Sequence, residues 1–245
     1  MIMNEHIKKV EQLLKATGLQ DESGSVIYSG NSTLRKGNYY FLGQNPGGNA
    51  EVYSGDTIIS QLLQSGEFNE YHEGEWTGKK HQSNIVKMFD DFNINLTNTF
   101  STNLSFIRSV NTNKYNRNLK NDYKIFWPVH KYCLSVVKPK VIICNGADAR
   151  EFFIKKMRIF PHTYEERFLE RLYRGRRMKC ISVRGSLVTH GEKLDIQLLS
   201  VFHLSKWPYE DYQKSILWLK SKIKQDEVFK RLRGPKNSSV IVTIS

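Results

Sequence analysis

The sequence predicts an α/β protein, a three-layer α/β/α sandwich with helices on both faces of a central four-stranded, mainly parallel sheet. Short apolar runs recur along the chain, stretches with helical spacing separate them, and polar residues follow each run directly. Such alternation of strands and helices is typical of a parallel sheet that is covered on both faces. The four predicted strands are residues 39–42, 99–106, 141–144 and 196–202.

The predicted helices precede, separate and follow these strands. In the first, residues 3–17, Ile7, Val10 and Leu14 recur at helical spacing, and Gly18 marks the end. Further helices are predicted at residues 58–63, 83–92 and 123–137, after residue 147 and after residue 208. We predict a single domain, residues 1–245.

Three local features complete the prediction. Pro128 is expected near the first turn of the helix at 123–137, where proline is tolerated. Residues 167–179 are strongly basic and carry no strand or helix assignment. Residues 180–183 and 186–188 are predicted as two further strands, and residues 226–245 as a basic tail.

The charge composition favours a polyanionic partner. Lys and Arg together number 37 and Asp and Glu 24, which gives a formal net charge of +13. Such an excess attracts nucleic acids through electrostatic steering and counterion release. The alternative is a protein that is basic for no specific reason.

Other features exclude several classes of protein. No run of about eighteen apolar residues is present, and the N-terminus lacks a signal-peptide core, so we expect a cytoplasmic protein without a membrane span. Cys133, Cys144 and Cys180 lie far apart in apolar surroundings, which indicates buried thiols rather than disulfides or a zinc site. The histidines other than His203, His81 among them, show no metal-ligand spacing and are interpreted as incidental. We expect no metal and no cofactor.

The segment after the first strand is the strongest candidate site. Residues 43–48 have the sequence Gly-Gln-Asn-Pro-Gly-Gly, typical of a turn that brings backbone N–H groups close to a ligand. This sequence is neither a Walker A loop nor a dinucleotide-binding G-x-G-x-x-G motif. Because parallel strands place their carboxyl ends along one edge, we expect this loop to meet Asn103, Asn145 and His203, which follow the other strands.

Together these segments resemble the uracil-DNA glycosylase superfamily. Its first motif is Gly-Gln-Asp-Pro-Tyr in the uracil-specific branch and Gly-x-Asn-Pro-Gly in the mismatch-specific and single-strand-selective branches. Residues 43–47 match the latter and retain the Gln of the former. Asn103 matches the family's base-binding Asn. His203 begins His-Leu-Ser-Lys, where the family has His-Pro-Ser-Pro. The resemblance runs from about residue 38 to 220, without the helix 3–17 and the tail 226–245.

The resemblance implies a monomeric, monofunctional DNA glycosylase that hydrolyses the N-glycosidic bond of an extruded base and leaves an abasic site. This reaction builds an oxocarbenium sugar and an anionic base. Asn45 would orient the attacking water without taking its proton, because an amide is not a base near neutral pH. His203 and backbone N–H groups near Gln44 would stabilise the departing base. Asn103 would bind the pyrimidine edge.

Two glycines depart from the uracil-specific pattern. Gly47 stands where that branch has a Tyr that closes the pocket against a 5-substituent, and Gly48 follows it. The open floor leaves room for a larger group, so the expected substrate is uracil or a 5-modified pyrimidine. For the aromatic ring that stacks on the base, Tyr53 is the first choice and Tyr71 the second.

The loop after the last strand is expected to face the DNA strand that has lost its base. Here Lys206 would bind a phosphate, Trp207 would wedge or stack, and Ser205 would lie beside them. Leu204 and Lys206 replace the two prolines of the family motif, which loosens this loop and leaves the inserted residue undecided.

The basic segment supplies further candidates for contacts with double- or single-stranded DNA. Arg174, Arg176 and Arg177 would bind phosphates, with an ordinary solvated surface as the alternative.

Several alternatives remain at this point. The first is a phage-defence glycosylase that excises a hypermodified base from viral DNA. The second is a non-catalytic nucleic-acid-binding module. The third is a hydrolase that uses residues 43–48 as an anion-binding nest. Asn45 alone could also be a turn residue, and His203 a structural hydrogen-bonding residue.

Overall fold

The computed structural model describes residues 4–64, 66–74, 79–109 and 119–232. Helices separate the first four strands along the chain, the next three strands follow without a helix, and a last helix ends the described part; the class is α/β, as predicted. The helices are α1 (Glu5–Lys15), α2 (Ile58–Gln64), α3 (Lys80–Phe92), α4 (Leu119–Val137), α5 (Ala147–Lys156) and α6 (Glu210–Leu232). The strands are β1 (Tyr39–Gly43), β2 (Phe100–Asn103), β3 (Val141–Asn145), β4 (Arg158–Ile159), β5 (Glu165–Tyr173), β6 (Arg176–Thr189) and β7 (Glu192–Val201).

The sheet is mixed, and within the described residues it has seven strands rather than the predicted four. β2, β1, β3 and β7 are adjacent in that order, and each pairs with the next in parallel. These strands correspond to the four predicted ones. β6 continues the sheet antiparallel to β7, and β4 and β5 pair antiparallel with β6. The prediction therefore captured the parallel half of the sheet. In the antiparallel half it placed two short strands within β6 and missed β4 and β5.

Side chains alternate along the central strands and build a core on each face of the sheet. On one face, Tyr40 and Ile142 pack with helices α1, α4 and α5. On the other face, Phe41 and Ile143 pack with α3 and α6. The sheet lies between two helical layers because its central strands are apolar on both faces.

Helix α1 is part of the first of these cores. Its Ile7, Val10 and Leu14 are buried, as the helical spacing predicted. Asn4 caps its first turn, where the side-chain oxygen accepts a hydrogen bond from the His6 N–H. The helix outside the family resemblance is thus packed against the remainder of the fold.

Several predicted boundaries were wrong. Helix α4 begins at Leu119, so Pro128 lies inside it rather than in its first turn. Residues 180–183 and 186–188 belong to one long strand, β6. Helix α6 extends to Leu232, so the predicted tail 226–245 begins as helix, and residues 233–245 lie outside the described residues. These boundaries lie where the apolar periodicity is interrupted, and that periodicity was the basis of the prediction.

The three cysteines are buried free thiols, and burial raises the pKa of each. Among the described helices, none combines the length and the apolar character that crossing a membrane requires.

Candidate active site

The carboxyl ends of the parallel strands meet at one edge of the sheet, beside a cavity of about 520 Å³. Strand β1 ends at Gly43, β2 at Asn103 and β3 at Asn145, and His203 follows the end of β7. The wall of the cavity includes seven of the predicted candidates: Asn45, Gly47, Gly48, Asn103, Ser205 and both choices for the stacking ring, Tyr53 and Tyr71. The sequence therefore located the cavity and much of its wall.

Asn45 is held by its amide group. The Nδ2 atom donates hydrogen bonds to the backbone oxygen of Pro46 at 2.8 Å and to that of Ser109 at 3.3 Å. Since these bonds engage the donor side of the amide, Oδ1 is the atom with capacity left for a water molecule. The side chain is thus oriented as an acceptor, in keeping with the expected water-positioning role.

Asn103 is buried at the end of β2 and packs directly against Gly43. A Cβ atom on Gly43 would lie 2.1 Å from Asn103 Oδ1, so only a glycine leaves room for this side chain. Tyr28 hydrogen-bonds with Asn103 and also lines the cavity. Burial and the Glu70 charge raise the pKa of the Tyr28 hydroxyl, which keeps the phenol protonated beside the amide.

The two glycines of the loop have different surroundings. A Cβ on Gly47 would meet no atom within 4 Å, so the space beside this residue of the cavity wall is open. Gly48 has a φ of 96°, and a Cβ there would lie 3.0 Å from the ring of Tyr53. Arg108 supports this arrangement from the loop that follows β2. Its Nη1 donates to the Gly47 oxygen at 2.8 Å, and its guanidinium lies 4.5 Å from the Tyr53 ring.

Two stacked imidazole rings, those of His81 and His203, lie at the same edge. Their centroids are 4.8 Å apart and their planes differ by 17°. Burial, aided by the Lys206 charge, lowers the pKa of His203 to about 4. Burial, together with His203 and Lys206, lowers the pKa of His81 to about 3. Both rings are therefore neutral at neutral pH.

His81 belongs to the described cavity wall, whereas His203 does not. The sequence interpretation of His81 as incidental was therefore wrong about its position. A single His in the first turn of a polar helix carries no pairing or spacing signal, so its sequence context could not reveal this placement.

The loop after β7 is braced by helix α3. The buried Asn84 side chain donates from Nδ2 to the backbone oxygen of Leu204 at 2.7 Å and to that of Trp207 at 3.1 Å. Lys80 Nζ adds a 3.4 Å hydrogen bond to the Lys206 oxygen. The loop was expected to be loose because it lacks two prolines, but α3 supplies this support.

Two predicted site residues point elsewhere. Gln44 donates from Nε2 to Asp148 of α5 and, at 3.5 Å, to the Tyr123 hydroxyl, so its side chain is outside the described cavity wall. Trp207 is only 7% exposed and packs against Phe202 and Tyr212. In this position its ring is covered and presents no surface for wedging or stacking, because the loop turns it inward toward an aromatic cluster.

The hairpin of β5 and β6 extends past the same edge of the sheet. Ile181 of β6 lies opposite Ser200 at the end of β7, so the first residues of β6 overhang that edge. Arg174 and Gly175 have φ values of 50° and 74°, as a tight hairpin turn requires.

The tip of this hairpin is basic and lies near the loop after β7. Arg174, Arg176 and Arg177 are exposed there. The Lys206 ammonium group lies 5.6 Å from the centre of the Tyr173 ring, so the hairpin and the loop are in contact. The predicted cationic residues therefore share one surface with Lys206.

Within the part of the chain that is described, no cluster of three or more His, Cys, Asp or Glu side chains is arranged to hold a metal ion. No protein-family model matches the chain, and no curated protein matches it either. The chemistry of the site residues is thus the basis for a functional assignment.

Proposed function

We propose that the chain is a DNA glycosylase of the uracil-DNA glycosylase superfamily, with the α/β/α fold of that family. It would hydrolyse the N-glycosidic bond of an extruded uracil or 5-modified pyrimidine and leave an abasic site. The observation that carries the proposal is the joint presence of Asn45 and Asn103 in one cavity, at the carboxyl edge of the parallel strands. His203, the third motif residue, stacks on a residue of that cavity's wall.

The proposed reaction follows from these groups. The C1′–N1 bond breaks and its electron pair goes to the base, while the water oxygen forms a bond to C1′ and releases its proton to solvent or to the base. Asn45 Oδ1 orients this water, and no side chain needs to act as a strong base. Neutral imidazole N–H groups stabilise the departing anion, a contribution that typically amounts to about 10²–10³-fold in kcat for one donor.

Recognition of the base is assigned to Asn103. Its amide carries both a donor and an acceptor, as the edge of a pyrimidine requires. The site is a cavity at the sheet edge, so the base must leave the helical stack to enter it. The exposed arginines of the β5–β6 hairpin, together with Lys206, provide the positive surface for the phosphates beside that base.

A second candidate function is phage defence by the same reaction on a hypermodified viral base. The observation in its favour is the open wall at Gly47, where a Cβ would meet no atom within 4 Å. The cavity also reaches polar side chains beyond the two Asn residues, namely Asp56, Gln61 and Glu70. This wall suits a substituent on C5 of the pyrimidine better than a pocket closed by an aromatic ring would.

Incubation of the protein with single- and double-stranded oligonucleotides carrying uracil or 5-modified pyrimidines, followed by alkaline cleavage, tests the proposal. We expect strand breaks at the base excised, and their loss in Asn45→Ala and His203→Ala variants. Asn98→Ala is the matched control, because Asn98 is exposed before the amino end of β2, at the edge away from the cavity.

Two results would decide against parts of this proposal. Salt-dependent DNA binding without an abasic site on any base would support the non-catalytic binding module instead. Activity on phage-modified genomic DNA but not on uracil would favour defence over repair.

A further inference from the structure

A chain of hydrogen bonds sets the orientation of His81. The Leu204 N–H donates to Asn145 Oδ1 at 3.1 Å, and Asn145 Nδ2 lies 2.9 Å from His81 Nε2. Asn145 is only 1% exposed, so these contacts are protected from competing water. The buried amide thus connects the loop after β7 to the first turn of α3.

These contacts also determine where His81 carries its proton. A backbone N–H can only donate, so it must face the oxygen of the Asn145 amide. The NH₂ group of that amide then faces His81 and can only donate, which makes Nε2 the acceptor. The proton of the neutral ring therefore lies on Nδ1.

His203 has the opposite tautomer. The Ser205 N–H donates to His203 Nδ1 at 3.4 Å, and the Ser205 hydroxyl lies 2.8 Å from the same atom. With Nδ1 accepting from the backbone, the proton of the neutral ring lies on Nε2. The stacked pair consequently carries two N–H donors, one on each ring, and neither proton is used by the bonds that hold the pair together.

We infer that His81 is a further catalytic residue whose Nδ1–H donates a hydrogen bond to the departing base, with Asn145 as the positioning residue that fixes its tautomer. The inference rests on the proposed glycosylase function. His81 is the imidazole in the cavity wall, and His203 stacks against it. A neutral donor is suited to an anionic leaving group because it stabilises the charge without losing its proton.

The charges around His81 favour this neutral state. Lys206 and the neutral His203 face it from the loop after β7, and Lys79 and Lys80 flank it on its own segment. Glu70 lines the same cavity from another loop. The nearest cations oppose protonation of the ring, in agreement with its lowered pKa.

Substitutions of His81 give the first test, in single-turnover assays with saturating enzyme on the best oligonucleotide substrate. We expect His81→Ala to slow base excision about 10²-fold or more while DNA affinity is retained. His81→Asn should recover part of the rate, because its amide N–H occupies the position of Nδ1. His81→Gln should recover less, since its N–H lies nearer the position of Nε2.

Asn145→Asp gives the second test. Its effect on the pH dependence of the rate would be absent if the role of His81 were purely structural. The new carboxylate would still accept from Leu204 N–H, but it would draw the His81 proton to Nε2 and raise the pKa of the ring. As the pH rises through that pKa, the protonated ring loses its Nδ1 proton and keeps the one on Nε2, so the rate should fall. The wild-type rate should show no such decline near neutral pH.

The outcomes separate the inference from the proposed function. If wild type excises a base and His81→Ala does so at the same rate, the inference fails and the glycosylase stands. The inference also fails if His81→Asn and His81→Ala are equally slow and the rate of Asn145→Asp has the same pH profile as that of wild type. If wild type excises no base, both fail. Thermal unfolding shows whether each variant is folded. If His81→Ala does not fold, the pH profile of Asn145→Asp decides whether the inference about His81 holds.

Discussion

Gly43 shapes the site through the side chain that it lacks. It ends β1 opposite Asn103, and the parallel register brings the two residues into contact. The space that a Cβ would occupy is filled by Asn103 Oδ1. A buried amide can therefore stand at the base of the cavity without displacing either strand.

We expect Gly43→Ala to destabilise the protein by about 1–3 kcal/mol, the usual cost of overpacking, and to impair base excision by displacing Asn103. Urea unfolding measures the first effect and the alkaline-cleavage assay the second. Gly55→Ala is the matched control, because a Cβ on Gly55 would meet no atom within 4 Å. Unfolding free energies that agree between the two variants would contradict the steric argument.

For individual residues, the sequence predicted the position in the fold better than the orientation of the side chain. Asn45, just after β1, and Asn103, the last residue of β2, could be predicted as cavity residues because parallel strands end at one edge. The predicted second strand ran on to residue 106, so its end was placed three residues too late. Gln44 also follows β1, yet its side chain turns to Asp148. Trp207 faces inward because its ring packs against aromatic residues that are distant in sequence, such as Tyr173. Neither orientation is encoded by local spacing.

In the β5–β6 hairpin, β5 is the strand that sequence patterns missed. Apart from the buried Leu169, most of the residues of β5 are exposed, so the strand lacks the apolar alternation by which strands are usually recognised. Its stability comes from pairing with β6, whose middle section is buried. Under the proposed function, the exposed arginines at the tip of the hairpin, just after β5, would bind phosphates.

Replacing Arg174, Arg176 and Arg177 together by Ala should leave the fold intact, because all three side chains are exposed. DNA affinity should fall, and the slope of log K against log salt should decrease by about 0.9 for each duplex phosphate that the variant no longer neutralises. Fluorescence anisotropy across a salt series measures both.

A variant with Lys8, Lys9 and Lys15 of α1 replaced by Ala is the control, since it removes the same charge from exposed positions away from the cavity. Equal reductions of affinity in the two variants would mean that total charge, rather than the hairpin, governs DNA binding.

The whole molecule combines a parallel half that forms the cavity edge with an antiparallel half that carries the basic hairpin. Apolar runs flanked by polar loops made the parallel half predictable. His130 packs against Phe106 of one of the two cores and couples stability to pH. His130 is fully buried, with Nδ1 3.1 Å from the Tyr40 hydroxyl and Nε2 3.1 Å from the Leu104 oxygen.

Burial lowers the pKa of His130 to about 4, against an ordinary value of 6.5, even though its bond to Leu104 opposes the shift. The unfolded chain therefore binds protons that the native state does not between pH 6.5 and 4. The contribution of this pKa difference to the free energy of unfolding is fully present above pH 6.5. It should be lost as the pH drops through this window, by up to about 1.4 kcal/mol per pH unit for each such group. His81 and His203 should act in the same direction.

Urea unfolding from pH 7 to pH 4 tests this dependence. His130→Gln should reduce the slope of unfolding free energy against pH, whatever its effect on overall stability. His72→Gln is the control, because the His72 side chain is exposed. An unchanged slope in His130→Gln would show that this ring does not contribute to acid sensitivity.

The hydrogen bonds from Asn84 to the loop after β7 have a mechanical consequence. Because α3 fixes the backbone of this loop, the loop should change conformation little when it contacts a duplex. Under the proposed function, the bending that extrusion of a base demands would then be borne by the DNA, at a cost that depends on the stiffness of the local base steps. The flexibility of the flanking sequence would thereby influence which sites are processed fastest, although Asn84 itself is buried and needs no contact with a base.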